Sequence, residues 1–174
     1  SLHGMRTYPV DKSLCQASFD WQFVHEVTVD EQTDRVVRLH STITLAKDPY
    51  MERTLGHYSS GLLLEIAKQI AKVAYQRLSP RPGPIRYMVR ELRFTFPAYT
   101  ILDARCPVTC RCNLEAIEFR RGLPESGNAV IQFSQGETLT AEVAFSVTIL
   151  SPEREAAIEE MFRDALLDGS PNPG

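Results

Sequence analysis

The sequence predicts an α+β domain in which one long, buried helix is wrapped by a curved antiparallel sheet. The segment "GHYSSGLLLEIAKQIAKVAYQRL", from Gly56 to Leu78, has the apolar spacing of a helix and is apolar on most of its sides. The chain from about residue 86 to residue 150 alternates apolar and polar residues, as β-strands do. A second helical segment, "PEREAAIEEMFRDALLDG", closes the chain and predicts an extra C-terminal helix.

The region before the central helix predicts two strands. Residues 1–19 are mixed in character and are expected to be irregular, with "SLHG" before Met5 as a tag remnant. The runs "FVHEVTV" and "RVVRLHSTITL" have strand length and are separated by the polar "DEQTD". In the first run, alternation places Phe23, His25 and Val27 on one face. "KDPYMERTLGH" then predicts a loop or short helix.

The central helix has clear start and stop signals. Ser59 or Ser60 is a suitable N-cap, and the helix is expected near residues 60–77. "SPRPGP" at residues 79–84 ends it, because proline cannot continue a helix. An apolar surface this wide indicates that other structure covers the helix.

The remaining chain predicts long strands and the terminal helix. "IRYMVRELRFTFPA" is one strand, and "YTILDARCPVTCRCNLEAIEFR" is one bent strand or two. "NAVIQFSQGETLTAEVAFSVTIL" predicts a hairpin that turns at "SQGE". The last helix begins at Pro152 and ends at Gly169. The domain is therefore expected to span residues 20–168, followed by a frayed tail at 169–174.

This order of elements is the plan of a single hotdog domain. Few other small α+β architectures bury one long helix in this way. The open edge of such a sheet favours pairing with an identical copy, so we expect a homodimer.

Composition excludes several function classes. The net charge of −3 and the pI near 5.8 give no basic field for nucleic acid or anionic lipid. No apolar run reaches the length of a membrane span, and the first residues lack a signal-peptide core, so a cytoplasmic location is expected. The spacing in "CPVTCRC" is not that of a zinc site, and no metal is expected. Cys106, Cys110 and Cys112 are expected to share one buried strand face as small hydrophobic residues.

The start of the central helix carries the candidate site. Its unpaired N–H groups and partial positive charge can stabilise an oxyanion that develops on a thioester carbonyl. Ser59, Ser60 and Gly61 would let a substrate approach this backbone closely. His57, just before them, can act as a general acid or base; the alternative is a loop histidine or a residue that hydrogen-bonds at the helix start.

A carboxylate inside the helix is the second catalytic candidate. Burial would raise the pKa of Glu65 and suit it to proton transfer, but Lys68 and Lys72 could instead place it in a solvated stripe. Gln69 either orients Glu65 or is exposed, and it is a substrate-binding candidate. His25, on its strand face, is a further candidate, although a structural role is common for such a histidine.

The helix start, "HYSSGLLLEIAKQIA", resembles that of the A-factor biosynthesis (AfsA-like) hotdog family. Upstream, Val24 and His25 resemble the family's Val-His element, and downstream "RELRFTF" resembles its next strand, so the likeness covers roughly residues 20–100. Ser59 and Ser60 replace the family's proline and glycine, and the chain holds one hotdog unit where many members hold two. The pattern is more distantly similar to acyl-carrier-protein dehydratases. The residues in register with the AfsA-like pattern are His57, Leu62, Leu63, Leu64, Glu65, Ala67, Lys68 and Gln69.

The resemblance implies an enzyme that acts on acyl thioesters of acyl-carrier protein or coenzyme A. Acyl transfer to a small hydroxylated acceptor, in secondary-metabolite or signalling-lactone biosynthesis, is what the family implies, and dehydration or thioester hydrolysis would use the same residues. It also implies that His57 of one subunit and Glu65 of the other meet across a dimer interface. The alternative is a non-catalytic hotdog that binds an acyl chain or a carrier protein. No cofactor is expected beyond the phosphopantetheine or CoA that carries the substrate.

Overall fold

A computed structural model describes residues 6–15, 21–53, 56–78 and 86–169, which form seven strands and three helices in those ranges. In chain order these elements are β1 (Arg6–Pro9), α1 (Lys12–Cys15), β2 (Glu26–Gln32), β3 (Val36–Ile43), α2 (Ser60–Leu78), β4 (Arg86–Thr95), β5 (Val108–Arg120), β6 (Leu123–Gln135), β7 (Thr138–Leu150) and α3 (Pro152–Leu167).

The seven strands form one antiparallel sheet in the order β1-β2-β3-β5-β6-β7-β4. Strand β4 follows α2 in sequence but pairs with β7 at the far edge of the sheet. The chain therefore crosses the sheet once through α2, and β4 becomes an edge strand. Its outer row of backbone N–H and C=O groups has no strand partner within the described chain.

Helix α2 packs against one face of this sheet, over β3, β5 and β6. It has 19 residues, of which 11 are buried, and the helix predicted near residues 60–77 is confirmed. The inward residues of β5, β6 and β7 alternate with outward ones, as period two requires, and form the core beneath the helix. The stop signal at 79–84 lies outside the described residues. In the described part of the chain, no helix is long and apolar enough to cross a membrane.

Two tight turns connect the longest strands. The predicted β6–β7 hairpin is confirmed, with Gly136 at φ 59° in its turn. The hairpin between β5 and β6 was not predicted. Its two turn residues, Arg121 and Gly122, have φ of 54° and 77°, the positive values that a type I′ turn requires.

The N-terminal region differs from the prediction of irregular structure. Residues 6–15 contain strand β1, which pairs with β2 and extends the sheet, and the short helix α1. A four-residue edge strand such as "RTYP" is too short to produce a recognisable alternation, so tertiary pairing decides its conformation.

Two predictions about which residues share one face of a strand are wrong in part. Cys110 and Cys112 are buried together on β5, but Cys106 precedes the strand and is half-buried. Strand β2 begins only at Glu26, so His25 lies outside it with an exposed side chain, while Phe23 is buried.

Helix α3 is an addition to the sheet-and-helix core. Ser151 caps it by accepting a hydrogen bond from the backbone N–H of Arg154, and Pro152 occupies its first turn, which confirms the predicted start. None of its residues is buried. Gly169 follows the helix with φ 66°, and the rest of the predicted frayed tail lies outside the described residues.

Candidate functional site

A cavity of about 550 Å³ opens at the N-terminal end of α2. One wall is the helix start with His57 before it, and the other is the segment that follows β4. The lining residues are His57, Tyr58, Ser59, Ser60, Leu63, Phe96, Ala98, Tyr99 and Thr100.

The backbone around His57 is held by the segment 100–102. His57 and Ile101 form an isolated antiparallel bridge, and the Tyr58 N–H donates to the Thr100 carbonyl at 2.8 Å. That segment is tied in turn to the β6–β7 hairpin, since the side-chain amide of Gln135 both accepts from the N–H and donates to the carbonyl of Ile101. The position of His57 is therefore set by the sheet.

Asp48 fixes the first residue of the helix start. Its carboxylate is 3% exposed, and its Oδ2 accepts the N–H of Ser59 at 2.9 Å while Oδ1 accepts the N–H of Tyr50 at the same distance. Ser59 is the N-cap of α2, because its Oγ accepts the N–H of Leu62 at 3.2 Å.

Two backbone N–H groups remain at the mouth of the helix. Asp48 and the Ser59 side chain satisfy two of the first four donors of α2, and among the described residues the N–H groups of Ser60 and Gly61 have no partner. A Cβ on Gly61 would meet no atom closer than the Ser59 Oγ at 4.0 Å. The protein's own packing therefore does not require glycine at this position.

His57 stands at the edge of this cavity. Its ring is half-buried and stacks on Tyr99, with ring centroids 4.5 Å apart and planes inclined by 26°. Tyr99 is itself 70% exposed, so the pair forms part of an open rim. The stacking leaves the edge of the imidazole, which carries its nitrogens, free of ring contact.

Glu65 lies in a different, buried environment. Its side chain is 5% exposed, its Oε1 accepts from Nε2 of Gln69 at 3.2 Å, and its Oε2 lies 3.4 Å from Nζ of Lys68. The negative charge of Glu65 is the second cause, after burial, of the raised pKa of Tyr50. Glu65 does not belong to the lining of the His57 cavity. The prediction that the two residues meet thus concerns a dimer and stays a prediction.

Gln69 links the helix to the N-terminal segment. It is fully buried, and its Oε1 accepts the N–H groups of Phe23 and Val24 at 2.8 and 3.3 Å. Its Nε2 donates to the carbonyl of Trp21 at 2.9 Å and to Glu65. All of its amide hydrogen-bonding capacity is used inside the chain, so the amide orients Glu65 and holds residues 21–24. His25, the remaining candidate, has an exposed side chain and does not line the cavity.

Asp48, Tyr58 and the 96–100 segment were missed by the sequence analysis. Tyr58 is 3% exposed, and burial raises its pKa to about 12. A buried aspartate 11 residues before the N-cap carries no local signal that it bonds there. Within the described ranges, no three His, Cys, Asp or Glu side chains are grouped as metal ligands.

Comparison with known proteins identifies the fold. YhdA from Lactococcus lactis, for which a thioesterase activity has been suggested, matches with a TM-score of 0.52 over 70% of this chain and 90% of its own. The chain has the hotdog fold. At 15% identity, the likeness establishes the fold alone.

Other hotdog proteins match less well. A hypothetical thioesterase from Streptococcus pneumoniae TIGR4, solved with coenzyme A, has a TM-score of 0.47 at 12% identity, over 72% of this chain and 86% of its own. The protein smu.793 from Streptococcus mutans UA159, bound to acetyl-CoA, has a TM-score of 0.48 at 9% identity, over 77% and 93%. No family model and no curated protein matches the chain, so the AfsA-like resemblance rests on the matching sequence motifs between about residues 20 and 100.

Proposed function

We propose that this hotdog protein cleaves acyl thioesters at the N-terminal end of α2, and that the acyl group passes to water or to a small hydroxylated acceptor. One observation carries the proposal. His57 and Ser60 line the same cavity, and beside it the backbone N–H groups of Ser60 and Gly61 have no partner in the described part of the chain. These are the parts that acyl transfer needs: a base, an oxyanion-stabilising site and room for the carbonyl.

The proposed reaction uses His57 as the base. The imidazole takes a proton from water or from the acceptor hydroxyl, whose oxygen attacks the thioester carbonyl carbon. The oxyanion that forms is held by the N–H groups of Ser60 and Gly61 and by the partial positive charge of the helix end. The intermediate then collapses, the C–S bond breaks, and the departing thiolate receives the proton from His57. The products are a thiol and either a carboxylic acid or an ester.

Acyl cleavage fits the cavity better than dehydration does. Dehydration must remove a proton from carbon and also protonate a leaving hydroxyl, which calls for two positioned groups. Within one chain, His57 lines the cavity and Glu65 does not. YhdA makes hydrolysis the first reaction to test, whereas the AfsA-like resemblance implies transfer in secondary-metabolite or signalling-lactone biosynthesis. The carrier is proposed to be coenzyme A or the phosphopantetheine of an acyl-carrier protein.

The active unit is proposed to be a homodimer joined along β4. This strand is at the edge of the sheet and exposes two large apolar residues, Val89 and Leu92, at 51% and 47%. An open edge with apolar side chains is suited to an identical partner strand related by a twofold axis. The arrangement of the two subunits in such a dimer would determine whether Glu65 of the partner subunit reaches the His57 cavity.

A non-catalytic acyl- or carrier-protein-binding role is the second candidate. It is favoured by the separation of Glu65 from the His57 cavity within one chain, because a binding protein needs no second proton-transfer group.

A product analysis separates these possibilities. Purified protein is incubated with a panel of acyl-CoA and acylated carrier proteins, with and without a small hydroxylated acceptor such as glycerol, and the intact masses are followed. Free acid supports hydrolysis, and an ester of the added acceptor supports transfer. Retention of every acyl chain by its carrier, with or without binding to the protein, contradicts the enzymatic proposal and leaves the binding role.

A further inference from the structure

An apolar groove of about 260 Å³ runs along α2 beside the edge strand β4. Helix α2 packs over β3, β5 and β6, and beside it the edge strand β4 is mostly exposed, whereas the inner face of β7 is buried. The groove is floored by Ala129, Phe145 and Val147, and its other walls come from α2 and β4.

The groove and the His57 cavity are lined by neighbouring parts of the same two chain segments. Leu63 lines the cavity and Leu64 lines the groove, and on the other wall Phe96 lines the cavity and Leu92 the groove. From Leu64 the groove follows the helix to Tyr75, a distance of about 16 Å at the α-helical rise per residue. An acyl chain that extends along α2 from a carbonyl at the helix start would meet this apolar groove.

Two tyrosines stand at the far end of this path. Tyr75, near the end of α2, and Tyr87, near the start of β4, have ring centroids 5.4 Å apart, and both line the groove. Tyr75 is 1% exposed, and a Cβ at Gly127 would lie 2.6 Å from its Oη, so the glycine makes room for this hydroxyl. Both hydroxyls are buried, and within the described part of the chain neither has a hydrogen-bond partner.

Unpartnered hydroxyls of this kind are unfavourable in the free protein. A buried donor that finds no acceptor loses the hydrogen bonds that it made with water, and this costs stability. Phenylalanine would fill the same space without the cost. Burial also raises the pKa of both phenols, so each stays protonated and can donate a hydrogen bond at neutral pH.

We propose that this groove selects acyl chains that carry an oxygen near their far end, and that Tyr75 and Tyr87 hydrogen-bond that oxygen. The inference rests on the proposed acyl-thioester function, and it specifies the substrate as a hydroxylated or otherwise oxygenated long-chain acyl group. An unsubstituted chain would fill the groove but leave both phenols unsatisfied. Discrimination by buried polar groups of this kind is stronger than discrimination by apolar fit.

Direct binding tests the inference without turnover. Even-chain fatty acids from decanoate to hexadecanoate, each with and without a terminal hydroxyl, are titrated calorimetrically into the wild type and Tyr75→Phe/Tyr87→Phe. At one or more lengths the wild type is expected to bind the hydroxylated acid about tenfold more tightly than its parent, and the double variant is expected to lose this preference. Tyr8→Phe, which removes a phenol outside the groove, is the matched control and should keep the preference.

Unfolding of the ligand-free proteins gives an independent readout. Because the phenols have no partner to lose, the Tyr75→Phe/Tyr87→Phe variant is expected to unfold at the same temperature as the wild type or about 2–4 °C higher. A lower temperature would mean that the hydroxyls are satisfied within the protein, which overturns the inference.

Three binding results would also overturn it. They are equal affinity for hydroxylated and parent acids at every length, a preference that survives in the double variant, and the absence of saturable binding. Free acids contain no thioester, so inactive protein that keeps the preference would refute the proposed function and not the selectivity.

Discussion

At the scale of single residues, Glu65 is buried and hydrogen-bonded to Gln69 and does not lie in a solvated stripe of charged side chains. We expect Glu65→Ala to lower the free energy of unfolding by about 1–3 kcal/mol, because the buried Nε2 of Gln69 loses an acceptor. Urea denaturation measures the change. Glu65→Gln, which keeps an acceptor oxygen, is the control and should lose less. An unchanged midpoint for the alanine variant would show that the contact contributes nothing.

The site could be predicted from sequence only where the signal was local. The cap at Ser59 and the position of His57 follow from a few adjacent residues, and the structure places both at the helix start. The role of Gln69 remained open, because a glutamine at helical spacing can face solvent or core. Its contacts come from Trp21 to Val24, nearly 50 residues away in the chain, and no periodicity reveals such a partner.

At the scale of the element, a substitution at the N-terminal end of α2 should change stability and activity in opposite directions. A Cβ on Gly61 has space and should reduce the flexibility of the unfolded chain, so Gly61→Ala is expected to stabilise the protein by up to about 1 kcal/mol. The same methyl group would lie beside the N–H groups of Ser60 and Gly61, where the proposed oxyanion is held. We therefore expect kcat/KM for acyl thioesters to fall by at least about tenfold, in parallel with a higher unfolding temperature.

Ser13→Ala, an exposed position in α1, is a suitable control for this experiment. A Gly61→Ala variant with undiminished kcat/KM would show that the substrate does not approach the helix end.

Long elements were predictable and short ones were not. Helix α2 and the β6–β7 hairpin have 13 or more residues per element, enough for a clear period of 3.6 or 2. Strand β1 has four residues, and its pairing with β2 determines it. The β5–β6 turn was missed because Arg121 gives no sign of a positive φ, and only Gly122 marks the turn in "RRGL".

For the whole molecule, the edge strand leads to a prediction about assembly. We expect sedimentation to give a dimer at micromolar concentration, since β4 offers an unpaired edge with exposed Val89 and Leu92. Leu92→Glu should shift the protein towards monomer, because two like charges would meet near the twofold axis. Ile117→Glu, at a 51% exposed position on β5, should leave the dimer intact. A monomeric wild type would contradict the assembly.

Alkaline pH should weaken the fold through its buried phenols. Burial raises the pKa of Tyr58 from 10.0 to about 12, and the pKa values of Tyr75 and Tyr87 are raised for the same reason. In the unfolded chain these phenols lose their protons near pH 10, whereas in the folded chain they stay protonated at that pH. Stability is therefore fully present below pH 10 and falls as the pH rises from 10 to 12.

Urea unfolding across that pH range measures the decline, and Tyr58→Phe should make it shallower. A free energy of unfolding that stays constant between pH 10 and 12 would contradict the burial of these phenols.

The central claim, that His57 is the base of an acyl-thioester cleavage at the start of α2, is tested most directly by the kcat/KM of His57→Ala. Thiol release is measured on the best substrate of the acyl-CoA and acyl-carrier panel, alongside thermal unfolding of both proteins. The account predicts that kcat/KM falls by about a hundredfold or more while the unfolding temperature stays near that of the wild type. Undiminished thiol release by a folded His57→Ala variant would contradict it.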